Sequence, residues 1–246
     1  MLSKTLKKTI PTASRAFGWQ AAGNKGVPSI FSNVDKHGFL PSSKPMAELP
    51  SQFNQMNELM DAMPHLINGE PVGLLAKNEF RKTIKGDFPD LTEEIRKVDV
   101  NDARLNAALF RDYSFASASY MLESCHHGWG ANNTYGRGED VLPAKLAVPM
   151  VELAKRIGYG QPLLEYGYGY ALNNWKFVND KNPDVIEYNN EDLVPNLDDY
   201  LGNIDFVRKF YGCENERGFI LVHVAIVSKS HKQVKAIKIM HDGCEN

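Results

Sequence analysis

Asp102-Ala103-Arg104-Leu105-Asn106-Ala107-Ala108-Leu109-Phe110-Arg111-Asp112-Tyr113-Ser114-Phe115-Ala116-Ser117-Ala118-Ser119-Tyr120-Met121-Leu122 is the stretch whose reading decides the fold. Leu105, Ala108, Leu109, Tyr113, Phe115 and the triplet Tyr120-Met121-Leu122 give it an apolar helical pattern. Its alanines and serines, Ala107, Ala108, Ser114, Ala116, Ser117, Ala118 and Ser119, are small enough to let neighbouring helices approach closely. The stretch therefore predicts a central buried helix, around which a mostly α-helical fold is built.

Working outward, Phe53, Met56, Leu59, Met60 and Met63 recur at spacings of three and four, one apolar helix face, and Pro64 limits how far that helix runs. Before it, His37-Gly38-Phe39-Leu40-Pro41 through Pro45 to Leu49-Pro50 reads as an ordered extended segment, because proline disfavours helix in the preceding residue. On the C-terminal side, Gly128 to Gly138 carries four glycines with Asn132 and Asn133 and predicts a loop. Pro149 suits a first helical turn, Met150, Leu153, Ala154 and Ile157 form a stripe, and Gly158 fits a C-terminal cap. Pro162 is expected to open a further helix through Leu163, Leu164, Tyr166, Tyr170 and Ala171 to Trp175. Residues 179–203 are polar, acidic and hold two prolines, which predicts a surface excursion, and Gly218 to Met240 closes the chain as one helical stretch.

Composition bounds what such a fold can do. The 246 residues and 27.6 kDa suffice for one large domain or two modest ones with a substantial core. With 28 Lys+Arg against 30 Asp+Glu, the net charge of −2 gives no electrostatic reason to expect nucleic acid or acidic lipid as a partner. The longest apolar run, Phe219–Val227, is well short of the roughly 20 residues a membrane span needs. Cys125, Cys213 and Cys244 are odd in number and far apart, so they spell neither a disulfide framework nor a zinc site and fit a reducing, cytoplasmic setting. The match of Asn132-Asn133-Thr134 to a glycosylation sequon has no secretory leader ahead of it and is expected to be chance. Residues 1–34 carry five basic residues and no acid; a solvated basic tail is expected there, and a mitochondrial transit peptide is the other reading.

Histidines are the natural candidates for chemistry. His126 and His127 are adjacent, so on a helix they point about 100° apart and make a poor metal pair. His37, His65, His231 and His241 lie in polar or turn contexts where a surface imidazole is expected. His223 differs, because it interrupts the apolar Phe219-Ile220-Leu221-Val222-His223-Val224-Ala225-Ile226-Val227, expected to be buried. Read as a helix, His223 shares a face with Phe219 and Ile226, one donor in an apolar wall suited to a flat hydrophobic ligand. A core histidine bonded to a backbone carbonyl is the competing reading. In Tyr166-Gly167-Tyr168-Gly169-Tyr170 the two tyrosines Tyr166 and Tyr170 share a face, and each glycine costs roughly 1 kcal/mol in a helix unless something offsets it. The run matches no phosphate-binding motif. Glu214, Glu216, Asp198 and Asp199 read as solvated carboxylates.

Three segments together resemble the indoleamine 2,3-dioxygenase family. They are His37-Gly38-Phe39-Leu40-Pro41 with Leu49-Pro50 and Phe53; Val141-Leu142-Pro143-Ala144-Lys145-Leu146-Ala147-Val148-Pro149 with Leu153, Gly158, Pro162 and Asn174-Trp175; and Phe210-Tyr211-Gly212 with Glu216 and Gly218 through Ile226. The resemblance spans about residues 37 to 240 and implies an all-α fold with a small helical domain over 35–140 and the beginning of a large haem-binding domain over 141–246. It implies haem b as cofactor, L-tryptophan or another indole with dioxygen as substrates, and N-formylkynurenine as product. By position, Phe219 would pack against the indole, His223 would lie on the distal side of the haem, Tyr166 and Tyr170 would line the pocket, and Ile226 would contact the haem. The family's iron-ligating histidine lies C-terminal of the helix matched here, and the tail from Met240 to Asn246 does not resemble the family continuation. The large domain is therefore expected to be incomplete, with no residue of this chain assigned as metal ligand. A non-catalytic haem or oxygen-binding protein of the same fold, or an inactive fragment, is the alternative.

Overall fold

The long apolar stretch forms α5 (Ala103–Asn132), 30 residues and about 45 Å of helix. The computed structural model describes residues 37–244 apart from 160, 161, 195 and 197, so the tail predicted over 1–34 lies outside the described residues. Asp102 begins α5 by accepting the Leu105 N–H at 2.9 Å, an N-cap bond. Every residue from Leu105 to Ser117 is buried, so the helix runs through the core as its sequence predicts.

A 3-10 turn at Ser51–Phe53 leads into α1 (Asn54–Ala62), which presents Met56, Leu59 and Met60 to α5. Three short helices follow, α2 (Leu74–Lys77), α3 (Phe80–Lys85) and α4 (Thr92–Lys97), and then α5 and α6 (Ala144–Arg156). Beyond α6 come a π-helix over Tyr166–Leu172, β1 (Trp175–Phe177), α7 (Asn190–Leu193), α8 (Tyr200–Asn203), β2 (Ile204–Phe206), α9 (Glu214–Lys229) and α10 (His231–Cys244). β1 and β2 form a small antiparallel ribbon with Trp175 opposite Phe206. The architecture is otherwise helical, in agreement with the expected all-α class. Among the described residues no helix is long and apolar enough to cross a membrane, and the three cysteines are free.

Two apolar clusters divide the interior. One joins Leu49, α1, α3, α4, α5 and the Leu146–Ile157 stripe of α6; the other joins Leu40, Ala171, Trp175, Tyr188, Val194, Phe206 and the inner stripe of α9. Between them lies a buried ionic knot. Asp112 receives Arg111 Nε at 2.8 Å and Arg208 Nη2 at 2.8 Å, and Arg111 also donates to the Met46 and Asn173 carbonyls. Asn174 holds the Arg208 backbone from both sides, accepting its N–H at 2.7 Å and donating to its carbonyl at 2.9 Å. Charges so far from water persist because they are paired, although Arg111 Nη2 has no hydrogen-bond partner among the described residues.

Several local expectations are corrected. Pro149 sits inside α6, because Pro143 starts the helix six residues earlier by accepting the Leu146 and Ala147 N–H groups. Gly158 does end it: at φ +74°, it donates to Lys155 while Tyr159 donates to Ala154, the paired bonds of a Schellman cap. The glycine-rich loop expected from Gly128 begins only after Asn132, since Gly128 is still helical. Its glycines serve a close return instead: a Cβ on Gly128 would meet Gly136 N at 2.4 Å, and one on Gly136 would meet Ser124 O at 2.3 Å. The segment from Pro162 is not helical before Tyr166 and ends in strand at Trp175. Within the π-helix, Tyr170 donates to the Glu165 carbonyl five residues back, a wide turn. The excursion over 179–203 buries Tyr188, Leu193 and Val194 in the second cluster. The closing stretch is two helices, broken at Ser230, whose hydroxyl bonds the Val227 carbonyl.

Candidate functional site

The inner stripe of α9, Ile220, Leu221, Val224 and Ala225, is fully buried, which leaves its other face outward. Because this helix is apolar almost all round, only one stripe can enter the core, and the outward side stays hydrophobic. Phe219 is 46% and Ile226 57% exposed, and His223 is only half-buried, so the expectation that the whole stretch is buried is corrected. The π-helix packs beside α9 and brings Tyr166 and Tyr170 to this face. Gly169, within it, lies against Ser114 of α5.

Four rings meet there. Phe219 and His223 are 4.9 Å apart, Tyr166 and His223 5.5 Å, Tyr166 and Phe219 5.9 Å, and Tyr166 and Tyr170 6.0 Å. Ile226 extends the face one turn beyond His223 and makes no part of the ring cluster. Both nitrogens of His223 are engaged, Nδ1 with the Phe219 carbonyl at 2.6 Å and Nε2 with the Tyr166 hydroxyl at 3.0 Å. A carbonyl only accepts, so Nδ1 carries the proton; in the neutral ring Nε2 is then an acceptor and Tyr166 donates to it. The two competing readings of His223 thus meet in one residue, which is bonded to a backbone carbonyl through one nitrogen and to the site through the other. Burial raises the Tyr166 phenol, and burial together with the Glu216 carboxylate raises that of Tyr170, so both stay protonated near neutrality.

Glu216, dismissed in sequence as solvated, organises the approach to this face. It is buried, and its carboxylate accepts the N–H groups of Phe210 at 2.8 Å, Tyr211 at 3.0 Å and Gly212 at 2.7 Å. The Tyr170 hydroxyl donates to the same group at 3.4 Å. Its place as the third residue of α9 was the available signal, since an acid there reaches back to the preceding backbone.

The other histidines divide. His37 is buried rather than at the surface, because its Nδ1 is paired with Asn190 Oδ1 at 2.8 Å. His65 is half-buried against Tyr211, while His241 is exposed. His127 Nε2 reaches the Leu75 carbonyl at 2.8 Å. Among the described residues no group of three or more side chains is arranged to hold a metal ion.

A family model described as indoleamine 2,3-dioxygenase matches residues 30–246. The chain belongs to the indoleamine 2,3-dioxygenase family. Among curated relatives, it is 24% identical over 203 residues to indoleamine 2,3-dioxygenase 2 of Mus musculus, a match covering 82% of this chain and 40% of that protein. It is 29% identical over 116 residues to indoleamine 2,3-dioxygenase 1 of Rattus norvegicus, covering 46% of this chain and 24% of that protein. This dioxygenase-family chain therefore spans less than half the length of the relatives it matches.

A haem needs flat apolar walls and an axial ligand. The outward face of α9 in this family member supplies a wall of that kind, apolar and aromatic and exposed among the described residues. Both ring nitrogens of His223 are engaged at rest, Nδ1 by the Phe219 carbonyl and Nε2 by the Tyr166 hydroxyl. The lining of this face, apolar and aromatic, suits a wall against a flat macrocycle.

Proposed function

We propose that this chain contributes the distal wall of a haem-dependent dioxygenase that cleaves the indole ring of L-tryptophan or a related indole to the N-formylkynurenine type of product. The observation that carries the reading is the ring cluster of Tyr166, Tyr170, Phe219 and His223 on an outward apolar face of α9, in a chain of this family. When bound, haem b supplies the redox-active iron that activates dioxygen, chemistry no side chain provides.

The chain's own residues bind and orient. Phe219 offers its ring to the flat face of an indole, and Ile226 continues the apolar surface toward the cofactor. Tyr166 and Tyr170, held protonated, fence the aromatic slot and exclude water from it. His223, with its proton fixed on Nδ1 by the Phe219 carbonyl, presents Nε2 as an acceptor that the Tyr166 hydroxyl occupies at rest. An indole N–H displacing that hydroxyl would be held at Nε2, fixing the ring's orientation by one hydrogen bond.

The test is reconstitution of the full chain with haem b, reduction, and addition of dioxygen and L-tryptophan, with N-formylkynurenine followed by absorbance. Product that falls on Phe219→Ala and His223→Ala supports the proposal. A Soret band unchanged from that of free haem refutes it, and a stable oxy-haem spectrum without product replaces it with an oxygen-binding role.

A further inference from the structure

The turn Phe210-Tyr211-Gly212, the segment leaving α1 and the C-terminal half of α5 line a half-open cavity of about 260 Å³ whose walls are almost wholly apolar. We infer that this cavity is a binding site for a small, flat, uncharged aromatic molecule carrying one hydrogen-bonding group. The reading is independent of the role proposed for the outward face of α9.

The walls specify shape first. The His65 ring stacks on Tyr211 at 4.6 Å and 12°, and His126 meets His65 edge-on at 5.4 Å and 76°. Leu75, Ala118, Leu122, Leu164 and Phe210 continue the apolar lining. Stacked and edge-on rings about a narrow space favour another ring over a branched aliphatic chain.

They specify charge next. The one carboxylate of the lining, Glu123, is consumed, accepting from Phe80 N at 2.8 Å, Arg81 N at 3.0 Å and Arg81 Nε at 3.1 Å. Ser119 Oγ is spent on Met63 Sδ at 3.1 Å. No unpaired acid is left to attract a cation. Burial, and the neighbouring His126 and His127, hold the His65 imidazole below its ordinary 6.5, so it stays neutral and offers an anion little. A neutral ligand is what remains.

One polar atom sets the last requirement. His65 Nδ1 is buried and has no hydrogen-bond partner among the described residues. Such atoms are rare in native proteins and costly to leave unmade. A hydroxyl on the ligand, which can donate or accept, would complete it whichever ring nitrogen holds the imidazole proton.

The experiment titrates 2-naphthol, a neutral phenol near neutral pH, into the full chain carrying ¹³C-labelled histidine. Saturable shifts are expected at His65 and His126 with His223 unmoved. Ala118→Leu, which fills the cavity, is expected to abolish them. His65→Phe keeps the stacked ring but loses the ring nitrogen, and should weaken binding by about tenfold, the worth of one hydrogen bond. Shifts that appear at His223 instead, that survive Ala118→Leu, or that never appear would each overturn the inference.

Discussion

Replacing Glu216 by glutamine tests how α9 is set in place. The carboxylate accepts three backbone N–H groups at 2.7 to 3.0 Å from the turn Phe210–Gly212, whose Phe210 and Tyr211 carbonyls accept the His65 and Leu66 N–H groups. Hydrogen bonds to a charged group contribute about 1.5–3 kcal/mol each. Tyr211 is 43% exposed, so part of the freed turn can be rehydrated, and the low end of that range applies. Glu216→Ala should therefore cost about 4–5 kcal/mol. Glutamine is expected to do no better. Its single carbonyl oxygen can serve only one side of the turn, and its amide N–H groups then face backbone donors on the other. Urea unfolding followed by far-UV circular dichroism gives the difference directly. Glu214→Ala is the control, because Glu214 is 87% exposed at the side chain and touches only Arg217, at 3.5 Å; its cost should stay below about 0.5 kcal/mol. A Glu216→Gln protein within about 1 kcal/mol of the parent would refute the claim that this carboxylate fastens the turn.

Asp112→Asn leaves Arg111 and Arg208 facing a neutral amide in the core, and a loss of about 3–5 kcal/mol is expected in the same assay. Burial alone would raise the Asp112 carboxyl, but the two arginines outweigh it and hold the group below its ordinary 3.8. Its stabilisation is thus complete above about pH 4 and lost as pH falls through the lowered value, so the acid limb of the stability curve should flatten in the variant. His65 behaves oppositely in charge. Its folded value lies below 6.5, so the unfolded chain takes the proton first and stability should fall as pH drops below about 6.5. His65→Phe should remove that step from the urea midpoints; an unchanged pH profile would contradict the assignment. Gly136→Ala would set a Cβ 2.3 Å from the Ser124 carbonyl and should cost about 1–3 kcal/mol, measured by thermal unfolding.

Helices announced by apolar spacing were legible, because spacing is a local property: α1 and α5 lie where Phe53–Met63 and Asp102–Leu122 put them. The misreadings share a cause, which is that the deciding partner is distant in sequence. Two prolines, Pro143 and Pro149, each suit a first turn, and only the burial of Leu146 makes the earlier one the start. Gly128 and Gly136 read as loop residues because nothing in the sequence says that they touch each other. His37 looked like a surface residue, yet its partner Asn190 is 153 positions away. For the candidate site, the pairing of Phe219 with His223 on one helix face was legible from their spacing of four. The outward aim of that face, the hydroxyl of Tyr166 at Nε2 and the ring group of His65, His126 and Tyr211 depend on how separate elements pack.

The segments that carry the family likeness have a physical part in this. His37 holds Asn190, and Asn190 donates to the Ser228 carbonyl at 2.7 Å, so the leading segment fixes the C-terminal end of α9. Asn174, of the Asn174-Trp175 pair, clamps the backbone of Arg208, and Trp175 pairs with Phe206, which fixes the chain just before α9. Glu216 fastens its first turn. Residues far apart in sequence thus act on one object, the position of α9 beside the π-helix. Side chains of this kind hold the outward face where it is without touching a ligand bound there. A change at Asn190 or Asn174 is therefore expected to disturb the Tyr166–His223 bond from a distance, whereas a change at Phe219 alters the surface itself and leaves the scaffold standing.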